Sequence, residues 1–353
     1  MTFHSIGGGL ALICAAVALG ADGPPPSIHY AIVDRISAPD TPIWDHVLVD
    51  RAARRFYLAA HGVMAVDLQS RTVTSSFVPG ELTHGLAQLN DGSIAVADGS
   101  QHAVIVFDGA TGRTISRVST ETSGASTGWH NPDALLVEPA TGLLVAADGD
   151  SGVLILIDPA TYSIVGKISV GGQLEAADVD GQGRIYINVR SSNSVAVVDV
   201  ARRTMVKTFA LKNCDEPAGL AYDRIDSLVM TVCRNGLIKF ILVKDGSEAA
   251  SINVGKGVDD VTFDPTRHVV FCPSAADGML SVIVVQSTKR IFLAQRLATQ
   301  PLVRLGALDS VTGRLYLPAA TPDRSATPVS LPGIPPQPGI VPGSFVFLVV
   351  APN

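Results

Sequence analysis

The feature that most constrains the fold is a sevenfold repeat of short apolar runs separated by turn residues. Residues 153–172 contain two such runs around Asp-Pro-Ala-Thr. This pattern predicts a β-hairpin, because Asp and Pro favour turns whereas Val and Ile favour strands. Similar hairpins recur, and each follows a hairpin of a second kind, so one unit holds four strands. The seven units begin near Trp44, Thr83, Asn131, Leu174, Glu216, Val258 and Val303. Four short strands at a period of roughly 40–50 residues predict an all-β fold, a seven-bladed β-propeller.

The two chain ends are predicted to share the last blade. The seventh unit stops after its third strand at residues 344–350, whereas residues 28–37 resemble the fourth strands of the other units. We expect the N-terminal strand to complete blade seven and close the ring, which leaves no long exposed sheet edge. The propeller is therefore predicted over residues 28–353. A Pro-rich insertion over residues 318–343, with eight prolines, separates strands two and three of blade seven.

The first residues are expected to lie outside the propeller. Residues 1–20 have the apolar run and small residues of a signal peptide, although the first five residues contain no Lys or Arg. Residues 21–27 are predicted to be a stiff Pro-rich linker. No other segment reaches the eighteen or so apolar residues that a membrane span needs. The sequence thus predicts a periplasmic or secreted protein without a membrane span in the mature chain.

The amino-acid composition supports this fold and argues against a nucleic acid as the partner. Charged residues make up 16% of the chain, against about 25% in an average soluble protein. Strands buried between neighbouring blades need apolar side chains on both faces, which leaves few positions for charge. The net charge is −6 and no long basic run occurs, so the sequence does not indicate a dedicated nucleic-acid-binding surface. We expect a monomer that binds a small molecule or a protein.

One segment carries a resemblance to a known family. The sequence IYINVRSSNSVAVVD, residues 185–199, resembles the repeat of the YVTN family of periplasmic seven-bladed propellers, the YncE-like proteins. Asn188 and Val189 stand where that repeat has Thr and Asn. The resemblance extends over residues 44–350. It implies the propeller fold and a periplasmic location, but no single chemistry, because propellers carry many unrelated activities.

Polar residues are expected to surround one mouth of the central tunnel. When the units are aligned on the start of strand one, the loops entering that strand bring one position of each blade into register. Four of these positions are acidic and one is Arg304, with further polar neighbours. The predicted tunnel-mouth residues are Trp44, Asp45, His61, His84, Trp129, His130, Asp133, Glu175, Glu216, Asp259 and Arg304. A mouth lined by convergent polar groups and covered by long loops is typical of a ligand site.

Several functions are compatible with this ring. The preferred hypothesis is a binding scaffold for a small ligand, a metal or a protein partner. The alternative is a lactonase-type hydrolase, in which a tunnel-bound divalent cation polarises a carbonyl and a carboxylate acts as general base. Polar groups that are merely hydrated by water in the tunnel are a third interpretation. If a cation binds, Ca²⁺ is favoured over a transition metal, because it accepts several carboxylates. Its tentative ligands are Asp45, Asp133, Glu175 and Asp259.

The cysteines predict one disulfide bond. Cys214 lies just before strand one of unit five and Cys233 ends strand two of the same unit. Because these strands are antiparallel neighbours, the two residues should lie side by side, as a disulfide requires. An exported protein meets an oxidising compartment, which favours the bond. Cys272 is predicted to be a buried free thiol.

Overall fold

The computed structural model describes residues 1, 28–121, 132–330 and 336–353. In these ranges the chain forms seven four-stranded antiparallel sheets and one additional two-stranded sheet. The predicted seven-bladed β-propeller is confirmed. The signal peptide and linker predicted for residues 1–20 and 21–27 fall, apart from Met1, outside the described residues, as do Trp129 and His130.

The first three blades follow one another in chain order, each with its innermost strand first. Blade one contains β2 (Val47–Asp50), β3 (Arg55–Ala60), β4 (Gly62–Asp67) and β5 (Val73–Val78). Blade two contains β6 (Thr83–Gln88), β7 (Ile94–Asp98), β8 (Ala103–Phe107) and β9 (Thr114–Ser119). Blade three contains β10 (Leu135–Glu138), β11 (Leu143–Asp148), β12 (Val153–Asp158) and β13 (Ser163–Ser169). A 3-10 helix, Gly99–Gln101, joins β7 to β8.

The next three blades repeat this order. Blade four contains β14 (Leu174–Val179), β15 (Arg184–Val189), β16 (Ser194–Asp199) and β17 (Thr204–Ala210). Blade five contains β18 (Pro217–Asp223), β19 (Leu228–Cys233), β20 (Leu237–Leu242) and β21 (Glu248–Asn253). Blade six contains β22 (Thr262–Asp264), β23 (Val269–Ser274), β24 (Met279–Ser287) and β25 (Arg290–Ala298). A second 3-10 helix, Arg190–Ser192, joins β15 to β16.

Blade seven is built from both ends of the chain. Its strand order is β26 (Ala307–Asp309), β27 (Arg314–Ala319), β30 (Val346–Pro352) and β1 (Tyr30–Ser37). Pro318 belongs to β27 and pairs with Phe347, so the inserted segment begins after Ala319 rather than at Pro318. The insertion carries the small sheet of β28 (Pro322–Asp323) and β29 (Gly339–Ile340).

The hydrophobic core lies between adjacent blades. Phe56 of blade one is fully buried and stacks on Tyr316 of blade seven, with ring centroids 5.1 Å apart. Tyr186 and Tyr222 stack at 4.7 Å across the boundary of blades four and five. Every blade therefore needs apolar side chains on both faces, which explains the low content of charged residues. Within the described ranges no helix is long and apolar enough to cross a membrane.

A buried amide also joins blades four and five. The Asn188 Nδ2 group donates to the carbonyl oxygens of Ala218, at 2.5 Å, and of Gly219, at 3.2 Å. The Asn188 Oδ1 atom accepts a 3.0 Å hydrogen bond from the Thr231 hydroxyl. The pairing of β18 with β19 shifts register between Pro217 and Leu220. Asn188 therefore donates hydrogen bonds to carbonyl groups that lie at an irregularity of the neighbouring sheet.

The predicted disulfide bond is confirmed. Cys214 and Cys233 are bonded, and their Cα atoms lie 5.2 Å apart. Cys272 is a buried free thiol, as predicted, and burial raises its pKa well above the ordinary value.

Candidate functional site

A cavity of about 520 Å³ opens at one end of the propeller axis. Residues from all seven blades line it, which places it at the mouth of the central tunnel. One lining residue from each blade in turn is Asp45, His84, Asp133, Glu175, Ala218, Asp259 and Arg304. A second cavity of about 420 Å³ shares His46 and Asp260 with the first and continues the tunnel towards the other face.

Close contact between inner strands positions these side chains. The Gly85 N–H group donates to the Asp133 carbonyl of the next blade at 3.0 Å. A Cβ atom on Gly85 would lie 2.5 Å from the Leu135 nitrogen, so only glycine allows blades two and three to approach this closely. Gly219 has the same role beside Asp260. The repeat thus brings the starts of the inner strands together around a narrow tunnel.

Half of the mouth is an arc of alternating charges, which we call the arginine arc. It consists of Glu175, Arg190, Glu216, Arg234, Asp259 and Arg304. Arg190 lies 3.1 Å from a Glu175 oxygen and 2.6 Å from a Glu216 oxygen. Hydrogen bonding and the Arg190 charge lower the pKa of Glu216. Burial opposes the charge on Arg190, but the two glutamates raise its pKa, so the guanidinium stays charged.

The arc continues through two longer contacts. Arg234 and Arg304 each lie 3.9 Å from an oxygen of Asp259. Arg234 also lies 3.6 Å from Glu216, and Arg304 donates to the Trp44 carbonyl. Because Asp259 lies beyond hydrogen-bond distance of both guanidinium groups, this end of the arc is less tightly paired than the Arg190 end.

The opposite side of the mouth holds a cluster of two carboxylates and an imidazole. The His84 Nδ1 atom lies 2.8 Å from Asp45 Oδ2 and 3.7 Å from Asp133 Oδ1. His84 and Asp133 are buried, whereas 31% of the Asp45 side chain is exposed to the tunnel. One ligand atom from each residue lies within 4.8 Å of the other two. Two carboxylate oxygens and one imidazole nitrogen are donors suited to a divalent cation.

Burial and neighbouring charges shift the pKa of three residues in the tunnel. Burial alone would raise the pKa of Asp45, but His46, His84 and Arg304 together lower it. Burial alone would lower the pKa of His46, yet the carboxylates around it, with Asp45 the strongest, raise it. Burial raises the pKa of Asp260 despite the nearby His46 charge. The tunnel therefore favours a protonated His46 next to an ionised Asp45.

Three buried donors in the lining have no hydrogen-bond acceptor among the residues that the structure describes. They are Trp44 Nε1, Arg190 Nε and Arg304 Nε. Trp44 is only 4% exposed and packs against Phe345. A buried donor without an acceptor costs free energy of about 1–3 kcal/mol. These three atoms are themselves inaccessible to solvent, so the accessible donors of the mouth are the outer guanidinium groups of Arg234 and Arg304.

The structure brings most of the predicted ring residues together but separates the tentative cation ligands. Asp45 and Asp133 meet at His84, whereas Glu175 and Asp259 pair with arginines instead. His61 is exposed and is not among the residues lining the cavity. Glu216 does not line the main cavity but reaches it through Arg190.

The sequence placed His46 on the face of the tunnel mouth, but the predicted set of site residues contained neither His46 nor Asp260. Both line the two tunnel cavities. His46 directly follows the predicted ring residue Asp45, and Asp260 directly follows Asp259. The signal available in the sequence was therefore an Asp-His pair and an Asp-Asp pair near the start of strand one. Neighbouring side chains of an extended strand point in opposite directions, so alignment on one ring position does not place the adjacent residue in the tunnel.

Comparisons with known proteins identify the fold alone. No protein-family profile matches the sequence, and no curated protein matches it significantly. A solved chain of hydrazine synthase from Kuenenia stuttgartiensis superposes with a TM-score of 0.66 at 16% identity, over 79% of this chain and 93% of that one. A chain from the crystal structure of a mitotic checkpoint complex has the same TM-score at 13% identity, over 86% and 95%.

Proposed function

We propose that this protein is an exported binding protein that holds a small zwitterionic molecule in the tunnel mouth. The observation that carries the proposal is the loosely paired end of the arginine arc, where Arg234 and Arg304 are partly exposed and lie 3.9 Å from the Asp259 carboxylate. Guanidinium groups that are not fully paired favour a ligand with carboxylate or other acceptor oxygens. The cavity volume of about 520 Å³ lies within the range of small-molecule sites, roughly 300–1,000 Å³.

The charges of the lining restrict the ligand further. Among the described residues, six carboxylates and three arginines line the cavity. A purely anionic ligand would meet this acidic excess, so a balancing positive group is favoured. The exposed side of Asp45 suits an ammonium group, while the arc around Arg304 suits a carboxylate. An amino acid or a short peptide carries both groups.

Export is supported by two features besides the predicted signal peptide. The Cys214–Cys233 bond requires an oxidising compartment in most organisms. The YVTN-like repeat of residues 185–199 agrees with a periplasmic location. We infer that the mature chain begins near residue 21 and acts in the periplasm or outside the cell.

The test is isothermal titration with matched probes. We expect the purified protein to bind at least one member of a panel of amino acids and dipeptides. The N-acetylated form of that probe lacks the ammonium group and the amide form lacks the carboxylate. Each analogue should bind at least tenfold more weakly, the loss that about 1.4 kcal/mol produces.

Variants assign the binding to the mouth. Arg304→Gln should weaken binding of the zwitterion and leave the affinity for its amide unchanged. Asp45→Asn should weaken binding of the zwitterion and leave the affinity for its N-acetylated form unchanged. Arg224→Gln, on an exposed residue of the opposite tunnel end, is the matched control and should have no effect. If no probe binds, or if binding is equal in Arg304→Gln and the unaltered protein, the proposal is wrong.

A second candidate function is metal-assisted hydrolysis of a lactone. The specific observation is the cluster of Asp45, His84 and Asp133, whose donor atoms fit a divalent cation. When bound there, the ion would polarise a carbonyl group. Asp260, with its pKa raised by burial, lines the same cavity and is the candidate general base. Hydrolysis of γ-butyrolactone by protein loaded with Zn²⁺ or Ca²⁺, and its loss in His84→Ala, would favour this function over simple binding.

A further inference from the structure

A common turn joins strands one and two on the face opposite the tunnel mouth. In five of the described turns an acidic residue ends the inner strand, four turn residues follow, and the carboxylate accepts backbone N–H groups of the turn. These residues are Asp50, Glu138, Asp223, Asp264 and Asp309. Such bonds satisfy N–H groups that the sheet does not pair.

Three of these turns also satisfy a second carboxylate oxygen. The residue three positions after the acid donates to it through a hydroxyl or a guanidinium group. The pairs are Thr141 with Glu138 at 2.7 Å, Arg267 with Asp264 at 2.9 Å, and Thr312 with Asp309 at 2.7 Å. A donor at this position is thus the repeated solution for a buried acid at the end of the inner strand.

Blades one and five depart from this pattern, since Ala53 and Asp226 occupy the donor position, but of the two acids only Asp223 keeps a buried oxygen without a described partner. Asp226 occupies the donor position, and an ionised carboxylate has no hydrogen to donate. Asp223 is fully buried, and its Oδ2 atom has no hydrogen-bond partner within the described part of the chain. An unpaired buried carboxylate oxygen is costly. The departure therefore leaves a buried acceptor for a positively charged partner that the described residues do not supply.

A third ligand atom comes from the next blade. His268 lies in the equivalent turn of blade six, and one of its ring nitrogens lies within 4.8 Å of an oxygen of Asp223 and of Asp226. Asp226 and His268 are half-buried, so an ion can reach the cluster from solvent. Ligand atoms of a tetrahedral Zn²⁺ ion lie about 3.3–3.6 Å apart, given metal–ligand distances of about 2.0–2.2 Å. The half-buried side chains of Asp226 and His268 would therefore have to turn towards Asp223 to bind one ion.

We propose that Asp223, Asp226 and His268 form a binding site for a divalent transition-metal ion such as Zn²⁺. The imidazole nitrogen distinguishes this site from an all-oxygen Ca²⁺ site. The ion satisfies the buried oxygen of Asp223 and links the turns of blades five and six. Its role is structural, and it acts on the face opposite the proposed ligand site, so the two proposals are independent.

The experiment is a Zn²⁺ titration of tag-free protein after treatment with a chelator. The tunnel-mouth cluster also has metal-ligand atoms, so the titration is made in the Asp45→Asn background to weaken that cluster. We expect one Zn²⁺ ion per chain and a melting temperature raised by several degrees in saturating Zn²⁺. Ca²⁺ at the same concentration should have little effect.

Sister blades provide matched variants. Asp226→Thr introduces the residue found at this position in blades three and seven, Thr141 and Thr312. His268→Gly introduces the residue found at Gly142 and Gly313, and glycine suits the positive φ of 54° at His268. Both variants should fold, and Asp226→Thr should melt at or above the temperature of the metal-free parent. Each should bind Zn²⁺ at least tenfold more weakly.

Two results would overturn the proposal. One is Zn²⁺ binding that is unchanged in Asp226→Thr and in His268→Gly. The other is a larger melting shift with Ca²⁺ than with Zn²⁺, because it would assign an oxygen-only site.

Discussion

The Asn188 amide offers the sharpest test of how blades four and five are held together. Its side chain is fully buried and makes three hydrogen bonds, two to the carbonyls of Ala218 and Gly219 and one from Thr231. A buried hydrogen bond contributes about 1 kcal/mol net, and an unsatisfied buried partner costs about 1–3 kcal/mol. Asn188→Ala removes all three bonds and leaves a small void. We expect the free energy of unfolding to fall by about 3–4 kcal/mol.

The Thr231 hydroxyl isolates one of these bonds. Thr231→Val keeps the shape of the side chain but removes the donor, and should cost about 1–2 kcal/mol. The two substitutions share one hydrogen bond, so the double variant should lose about 1 kcal/mol less than the sum of the single losses. Asn253→Ala, at an exposed position of β21, is the control and should change stability by less than about 0.5 kcal/mol.

The assay is equilibrium unfolding in urea with the disulfide intact, followed by circular dichroism and by tryptophan fluorescence. Coincident curves from the two probes justify a two-state treatment for a chain of this size. A loss below about 1 kcal/mol for Asn188→Ala, or strictly additive losses in the double variant, would refute the assigned role of the amide.

Three further predictions concern the tunnel, the disulfide and ring closure. The His46 pKa, followed by NMR, should lie above 6.5 and fall in Asp45→Asn. Because its folded pKa is raised, protonated His46 stabilises the protein fully below about pH 6.5 and loses that effect as pH rises through the raised pKa. His46→Gln should therefore be more destabilising at about pH 5.5 than at about pH 8.5, and the reverse order would contradict the shift. Replacing Cys214 and Cys233 together by Ala should lower the free energy of unfolding by about 3 kcal/mol, and an unchanged urea midpoint would contradict this. Deleting residues 28–37 exposes β30 as an edge strand, so light scattering should detect aggregates; a monodisperse and equally stable product would contradict it.

Features that depend on neighbouring strands of one blade could be predicted from the sequence. The period of the apolar runs is enough to predict seven four-stranded blades, because most strands pair with the next strand along the chain. The bond between Cys214 and Cys233 followed from the same local pairing, since the start of β18 lies beside the end of β19. Alignment of equivalent positions was enough to predict that Asp45, Asp133 and Glu175 lie at one tunnel mouth.

Contacts between blades were decided by the tertiary structure. Alignment places a residue along its strand, but it does not say which partner an adjacent blade offers. Glu175 and Asp259 were grouped with Asp45 as cation ligands, yet Arg190, Arg234 and Arg304 reach them from the segments that connect strands. These partners are long side chains whose direction depends on packing against the next blade.

The contacts of buried polar groups with a neighbouring blade also could not be predicted from the sequence. The sequence does not show that the Asn188 amide donates hydrogen bonds to an irregular segment of β18 some 30 residues away. Asp223 and His268 belong to different blades, and only the packing of blade five on blade six brings them within reach of one ion. Pairing within a blade is a local property of the chain, whereas the chemistry of the tunnel and of the turns depends on how one blade packs against the next.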